Sequence, residues 1–387
     1  MNKILVENIA DAFKKRYEEK PLLISSPGRI NIIGEHTDYN EGFVFPAAID
    51  KSIVAAIAKS DSKFCSIYAY DNDELFEFSL ENIQPIINGN WRNYVIGVVA
   101  EIQKNGLKVE PFNVVFGGDI PSGAGLSSSA AIENSIVFGL NKIFDLKLSK
   151  SEMILISQRA EHNYVGVKCG IMDQYASMFG ITDNALLLDC RTQKAKPYKV
   201  VFKDYQLILI NTNVNHTLVD AEYNNRRLVC EKVAALLNVE FLRDATKENL
   251  LLIKSKIPKE NYQKALYIIQ ENERVLKAAQ MIQENNLEAL GDLLFEAHNG
   301  AQHQFKISCK ELDFLVEQAK ESPHVIGARM MGGGFGGCTI NIVKNEAVQK
   351  FTQHVSKVYK ETFGIENSIY FIKLSKGTHI LKHVYRQ

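Results

Sequence analysis

Hydrophobic and polar positions along the chain fall into two periods, and the switches between them mark the elements. Leu22 to Ser25 is a short apolar run, and Ile49 to Ile57 is rich in β-branched residues and alanine, so both predict strands. Phe112 to Phe116 predicts another strand, which runs into a Gly/Ser stretch, and Ala130 to Leu140 predicts the helix after it. Ser149 with Glu152 makes a capping-box pattern ahead of EMILISQRAEHNYV, where Met153, Ile156, Ala160 and Tyr164 share one helical face. A break near Gly166 to Gly170 predicts a loop before a second helix. Strands are expected at Ala185–Leu188, Tyr198–Phe202 and Gln206–Ile210. Beyond about residue 205 the texture changes to long helices, Asn261–Glu284 and Leu287–His298, with a late strand at Cys338–Val343.

That change of texture places a domain boundary within 180–210, and the chain is divided here into 1–205 and 206–387. A length of 387 residues supports two domains, since single cores stop growing well below it. No internal repeat, low-complexity segment or Pro-rich linker interrupts the pattern.

Composition changes the picture little. With 46% hydrophobic and 23% charged residues the chain is ordinary for a soluble globular protein. Forty-five basic residues balance forty-five acidic ones, so no whole-chain field argues for nucleic acid or membrane as a partner. The opening MNKILVENIADAFKKRYEEK reads as an amphipathic helix without the apolar stretch of a signal peptide, and no segment approaches membrane-spanning length. The six cysteines (65, 169, 190, 230, 309, 338) show no CxxC pair or metal-finger spacing. That usage fits free thiols in a reducing compartment, and a cytoplasmic location is expected.

Three Gly-bearing stretches carry the candidate chemistry. In Pro121-Ser122-Gly123-Ala124-Gly125-Leu126-Ser127-Ser128-Ser129, glycines leave backbone N–H groups accessible, and the following helix adds unpaired N–H groups and a positive dipole end. The serine hydroxyls suit helix capping, phosphate oxygens or Mg²⁺. A plain turn ahead of a Ser-capped helix fits the same residues. This stretch contains no GxxxxGK[ST] P-loop, complete Rossmann GxGxxG, protein-kinase HRD/DFG set or GxSxG.

Pro27-Gly28-Arg29-Ile30-Asn31-Ile32-Ile33-Gly34-Glu35-His36-Thr37-Asp38-Tyr39-Asn40 crowds two carboxylates, a histidine and an arginine into ten residues. A sugar presents hydroxyls, so its site needs closely spaced acceptors and donors of this kind. A polar surface turn is the plainer reading, and a metal site on His36 with Glu35 and Asp38 is a further one. Glu161 and Asp173 lie in QRAEHNYVGVKCGIMDQYAS. Phosphoryl transfer from ATP asks a protein for alignment, charge neutralisation and removal of a hydroxyl proton, work that two carboxylates and a cation suit. Each carboxylate alone also fits a solvated helix position. His298 and His303, in HNGAQHQ, are read as structural.

The loop around GLSSS resembles the signature of the GHMP kinase superfamily, and GRxNxIGEHTDYNxG is similar to the galactokinase signature within it, nearly residue for residue. CGIMDQ matches the same family, and Gly332-Gly333-Gly334-Phe335-Gly336-Gly337 resembles the third GHMP motif. One departure is visible: where galactokinases often read AEN, this chain has Ala160-Glu161-His162.

The resemblance, which covers roughly residues 22–340, implies an α/β (α+β) fold of two domains. The N-terminal one would be ribosomal-protein-S5-like and the C-terminal one ferredoxin-like, with the active site in the cleft between them. It implies a galactokinase activity: ATP plus α-D-galactose gives galactose 1-phosphate and ADP. It makes Asp173 the general base and Arg29 its cationic neighbour. Glu35, His36, Thr37, Asp38, Gly170 and Tyr223 would contact the sugar. Gly123, Ala124, Gly125, Leu126, Ser127, Ser128 and Ser129 would wrap the ATP phosphates, with Ser129 and Glu161 as Mg²⁺ ligands. The expected partners are galactose and ATP, with no nucleic acid and no membrane, for a monomer. A kinase for N-acetylgalactosamine or arabinose, and a catalytically silent galactose- and ATP-sensing regulator, are the rival readings.

Overall fold

The computed structural model describes residues 2–215 and 219–382. Its first half runs α1 (Lys3–Tyr17), β1 (Leu22–Asn31), β2 (Phe43–Val44), β3 (Pro46–Lys59), β4 (Cys65–Ala69), β5 (Glu74–Phe78), α2 (Trp91–Lys104), β6 (Phe112–Gly118), α3 (Ser128–Ile143), α4 (Lys150–Ala160), α5 (Met172–Phe179), β7 (Asn184–Asp189) and β8 (Lys194–Lys199). The second half runs β9 (Tyr205–Asn215), α6 (Val219–Leu236), α7 (Lys247–Leu252), α8 (Lys259–Gln283), α9 (Leu287–Asn299), α10 (Lys310–Glu321), β10 (Val325–Met330), β11 (Gly336–Lys344), α11 (Val348–Phe363), β12 (Ser368–Phe371) and β13 (His379–Ile380).

Three sheets result, ordered β13-β1-β3-β6-β4-β5, β10-β11-β9-β12 and β2-β7-β8. Strand β1 is longer than its apolar run. It continues through Ser25-Ser26-Pro27-Gly28-Arg29, and the register with β3 shifts between Pro27 and Arg29. The irregularity accommodates a proline that has no N–H for the ladder. The strand expected at Tyr198–Phe202 ends at Lys199 instead: the Val200 N–H makes the last in-register bond, to Asp183 O (2.9 Å), and Asp183, with φ of 58°, turns the partner chain out of the ladder. The capping box at Ser149 and Glu152 forms in both directions and fixes the start of α4.

Helices α2–α5 cover one face of the six-stranded sheet, burying Val98, Ile136, Ile154 and Met178 against Ile24, Ile57 and Val114. On the opposite face α1 lays Ile9 and Phe13 on Val54, Ala56 and Val115, which is why the opening residues are amphipathic. The four-stranded sheet packs Ile208 and Ile210 against Leu315, Val355 and Tyr359 of α10 and α11. A third core joins the halves: Ile30, Ile33 and Phe45 meet Leu209, Val275, Leu294 and Ile340. Strand β13 returns from the far end of the chain to pair with β1, Ser25 opposite His379. The shared core fixes the two halves against each other, and the residues singled out above gather at its edge.

Candidate active site

Between β6 and α3 the Gly/Ser stretch is a loop in which Gly123, Gly125 and Ser127 have positive φ (68°, 70° and 57°). Ala124 and Leu126 turn into the core, so these two positions offer only backbone to a ligand. The start of α3 has no side-chain cap. Ser127 Oγ instead donates to Asp173 Oδ2 (2.5 Å), and the first N–H groups of α3 stay available to an anion. Arg29 closes the loop from below: its N–H donates to Leu126 O (3.0 Å) and Nη1 to Gly125 O (2.5 Å). The same guanidinium grips Asp173 with Nε–Oδ1 at 2.9 Å and Nη2–Oδ2 at 3.1 Å, a two-point pairing.

The 28–40 segment is buried, contrary to a surface turn. Each oxygen of Glu35 meets a protein donor: Oε1 accepts from Gly332 N–H (2.7 Å), and Oε2 from Arg329 Nη2 (2.7 Å) and Asn31 Nδ2. Burial pushes the Glu35 carboxyl up to about 7 against the pull of Arg329. Burial, with Asp173 adding to it, pushes Asp38 up to about 6. His36 is driven down to about 3 by burial and is neutral. Its Nε2–H therefore donates to Gly333 O (3.1 Å), and Nδ1 accepts from Tyr39 OH (2.7 Å). Thr37 Oγ1 is spent on Gly34 O (3.0 Å) and Phe43 O (2.6 Å) and shapes the turn rather than the cavity. Gly34 N–H in turn donates to Glu271 Oε1 (2.9 Å), which anchors the segment to α8.

One small cavity, about 110 Å³, is lined by Arg29, Glu35, His36, Asp38, Ser129, Glu161, Asp173 and Tyr223, together with Cys169, Gln174, Gly332 and Gly333. Eight sequence-derived candidates thus share one space. Gly170 sits just outside it, where a Cβ would lie 2.2 Å from the Asp38 carboxyl, so only glycine lets the loop close on that aspartate. Tyr223 from α6 places its ring 4.8 Å from that of His36 and 5.6 Å from that of Tyr39. Glu161 begins a π-helical turn (Glu161–Val165) that ends α4, a local irregularity common at functional sites. His162, where galactokinases often have asparagine, bonds Cys169 O through Nε2 (2.8 Å) and holds the loop that lines the cavity. His298 is structural as expected: buried, with Met330 N–H donating to its Nδ1 (3.2 Å).

Sequence reasoning missed three residues. Glu133, fully buried one turn after Ser129, has its carboxyl raised well above the usual range by burial and then by Glu161. Its spacing of four from Ser129 was the available signal. Arg329 is 2% exposed in its side chain and bonds Asn31 O (3.3 Å) and Ile32 O (3.2 Å) besides Glu35. Asn224, one residue after Tyr223, clamps the 166–168 loop, accepting from Lys168 N–H (3.0 Å) and donating to Gly166 O (3.1 Å). No periodicity marks either of the last two.

Comparison with known proteins follows this geometry. The galactokinase galactose-binding signature matches residues 11–59, the GHMP kinases N terminal domain 93–181 and the GHMP kinases C terminal domain 277–361. A phosphate-type loop ahead of a helix, in a cleft between these two domains, defines an ATP-dependent kinase of the GHMP class. A galactokinase of Thermosipho africanus is 40% identical over 93% of this chain and 99% of its own. One of Fusobacterium nucleatum is 37% identical over 98% of this chain and 100% of its own. The crystal structure of Lactococcus lactis galactokinase complexed with galactose superposes with a TM-score of 0.92, at 31% identity, over 96% of this chain and 98% of that one. The chain belongs to the galactokinase family.

Two measurements probe this site without substrate. Arg329→Met leaves Glu35 buried without its cation and should cost about 3–5 kcal/mol of unfolding free energy at pH 8. The loss should shrink as pH falls and Glu35 takes up a proton; denaturant titrations at several pH values read both. Asp38 behaves as a raised acid, from an ordinary 3.8 to about 6. Its contribution to stability is fully present below pH 3.8 and lost as pH rises through 6, because the unfolded chain ionises first. Asp38→Asn should therefore gain on the wild type by up to about 3 kcal/mol between pH 4 and 6 and level off above.

Proposed function

We propose that the chain transfers the γ-phosphoryl of ATP to the anomeric hydroxyl of α-D-galactose, releasing galactose 1-phosphate and ADP. The observation that carries this reading is the Arg29–Asp173–Ser127 cluster, which joins the phosphate loop to the cavity below the 28–40 segment. In the reaction Asp173 takes the proton of the sugar hydroxyl as its oxygen attacks the γ-phosphorus, and Ser127 leaves Asp173 Oδ2 to make room. Arg29 and the open N-terminus of α3 stabilise charge on the transferring group. Asp38, His36 and Tyr223 orient the sugar, and Glu35 acts by holding the Gly332–Gly333 backbone over it. In this reading Gly123 to Ser129 supply the phosphate contacts, Ala124 and Leu126 through backbone only.

The residues also fit a magnesium ion. Among the described residues no group of three or more His, Cys, Asp or Glu side chains forms a metal cage. Mg²⁺ does not need one: it keeps waters and substrate phosphates and takes one or two protein oxygens. Ser129 and Glu161 offer such hard donors in the same cavity, with the Glu133 carboxyl beside Glu161. When bound there, the ion would neutralise phosphate charge. The division at 205/206 belongs to the same proposal, with β13 assigned to the first unit. So do a monomeric state and a cytoplasmic location, the latter supported by six free cysteines. Among the described residues no helix is long and apolar enough to cross a membrane.

Release of ADP is to be followed over a panel of galactose, N-acetylgalactosamine, arabinose and glucose. Galactose should give the highest kcat/KM; preference for another sugar, or no turnover at all, overturns the proposal. Asp173→Asn should lower kcat by about 10²–10⁴-fold with ATP binding retained. Near-normal turnover would reduce Asp173 to an orienting group.

A further inference from the structure

A second concave site lies behind the catalytic cluster, at the opposite ends of the elements that build it. The groove, about 770 Å³, is lined by Lys142 in the last turn of α3, Lys150 at the start of α4, and Lys376, His379 and Lys382 near the end of the chain. Among the described residues its one carboxylate is Asp50, whose Oδ1 is engaged by Lys373 N–H (3.0 Å). Nearby acids are taken by other lysines, Asp145 by Lys147 (2.8 Å) and Asp119 by Lys51 (3.8 Å). Among the described residues none of the four groove lysines has a carboxylate within 4.0 Å. Pro27, Ile49 and Phe138 add apolar surface to the wall.

Burial and neighbouring positive charge both act on the titratable groups of this groove. Burial lowers Lys150, whose ammonium donates to Met178 O (2.9 Å). Burial also lowers His379, and the neighbouring charges of Lys376 and Lys150 push it further the same way. Four lysines facing a single carboxylate among the described lining residues leave the groove net positive, a charge that an anion relieves. Several ammonium groups above an apolar wall suit a phosphate group carrying a compact organic body.

We propose that this groove is a second anion site that takes a small phosphate-bearing molecule and that its occupancy is felt at Asp173. The connection is a buried chain of hydroxyls. Thr378 of the groove lies 2.9 Å from Ser26 Oγ, which lies 3.1 Å from Ser177 Oγ; Thr378 also donates to Ser177 O through Oγ1 (2.9 Å) and N–H (2.8 Å). Ser26 is three residues before Arg29 on β1, and Ser177 is one turn after Asp173 on α5. An anion drawing Lys376 inward moves the stretch that holds this strand and helix together, and with them the Arg29–Asp173 pair.

The test is a calorimetric titration of inorganic phosphate and of glycerol 3-phosphate into the protein, its cavity filled with galactose and ADP. The wild type should bind one equivalent. Lys142→Glu/Lys376→Glu should weaken binding at least tenfold, while Lys147→Glu, outside the groove, should change it less than twofold. If the reversal fails to fold, the neutral pair Lys142→Gln/Lys376→Gln gives the same reading. Equal affinity for the two probes identifies the phosphate group alone as the ligand; tighter binding of the ester adds the apolar wall. Saturating ester should change kcat at least twofold in the wild type and not in the reversal. Absence of binding with the cavity filled, equal affinity in wild type and reversal, or a turnover indifferent to saturating ester overturns the proposal.

Discussion

The guanidinium of Arg29 is the point at which separate parts of the chain become one site. It reaches the phosphate loop 96 residues away through Gly125 O and the α5 carboxylate 144 residues away through Asp173. The backbone N–H of the same residue holds Leu126 O. A planar fork with five donors can do this; a lysine ammonium, a point charge, cannot hold two oxygens of a carboxylate and a carbonyl in fixed directions at once. On β1 Arg29 stands opposite Ala48 of β3, and its N–H bonds the loop on the other side, so the fork is mounted on backbone held from both sides. The position of the phosphate loop relative to Asp173 is thereby set before any ligand arrives.

The second constraint is desolvation. Glu35, His36 and Asp38 all lie out of water, and each shifts toward its neutral form because burial disfavours charge. The fold offsets this cost with Arg329, Asn31 and the Gly332 N–H around Glu35, and with Tyr39 and Gly333 around His36. Both sets draw on the third Gly-rich loop from the second half of the chain. A Cβ at Gly332 would sit 3.3 Å from Gly125 O, so that loop also packs directly on the phosphate loop. The buried polar groups that line the cavity are thus the same ones that join the two halves.

Much of this was legible in the sequence. Period-two and period-3.6 patterns located the principal strands and helices, and the Ser149 capping box forms as its residues require. The family resemblance drew attention to eight residues that line one cavity. What stayed hidden was buried polar structure. Ser26 and Arg29 in β1 break the apolar pattern of a strand, yet they are buried because hydrogen bonds across the fold satisfy them. Arg329 and Asn224 act through partners almost 300 and about 60 residues away, which local periodicity does not encode. The roles of Thr37 and Leu126 were blurred for a related reason: membership of a motif does not say which way a side chain points.

If the Arg29–Asp173 pair acts as one unit, the two side chains should not contribute independently to catalysis. The most direct measurement is kcat, at saturating galactose and ATP, for Arg29→Met, Asp173→Asn and the double variant. The account predicts strong non-additivity, the double variant turning over within about threefold of the slower single one. Losses that multiply, with the double variant slower by the product of the two single effects, would contradict it.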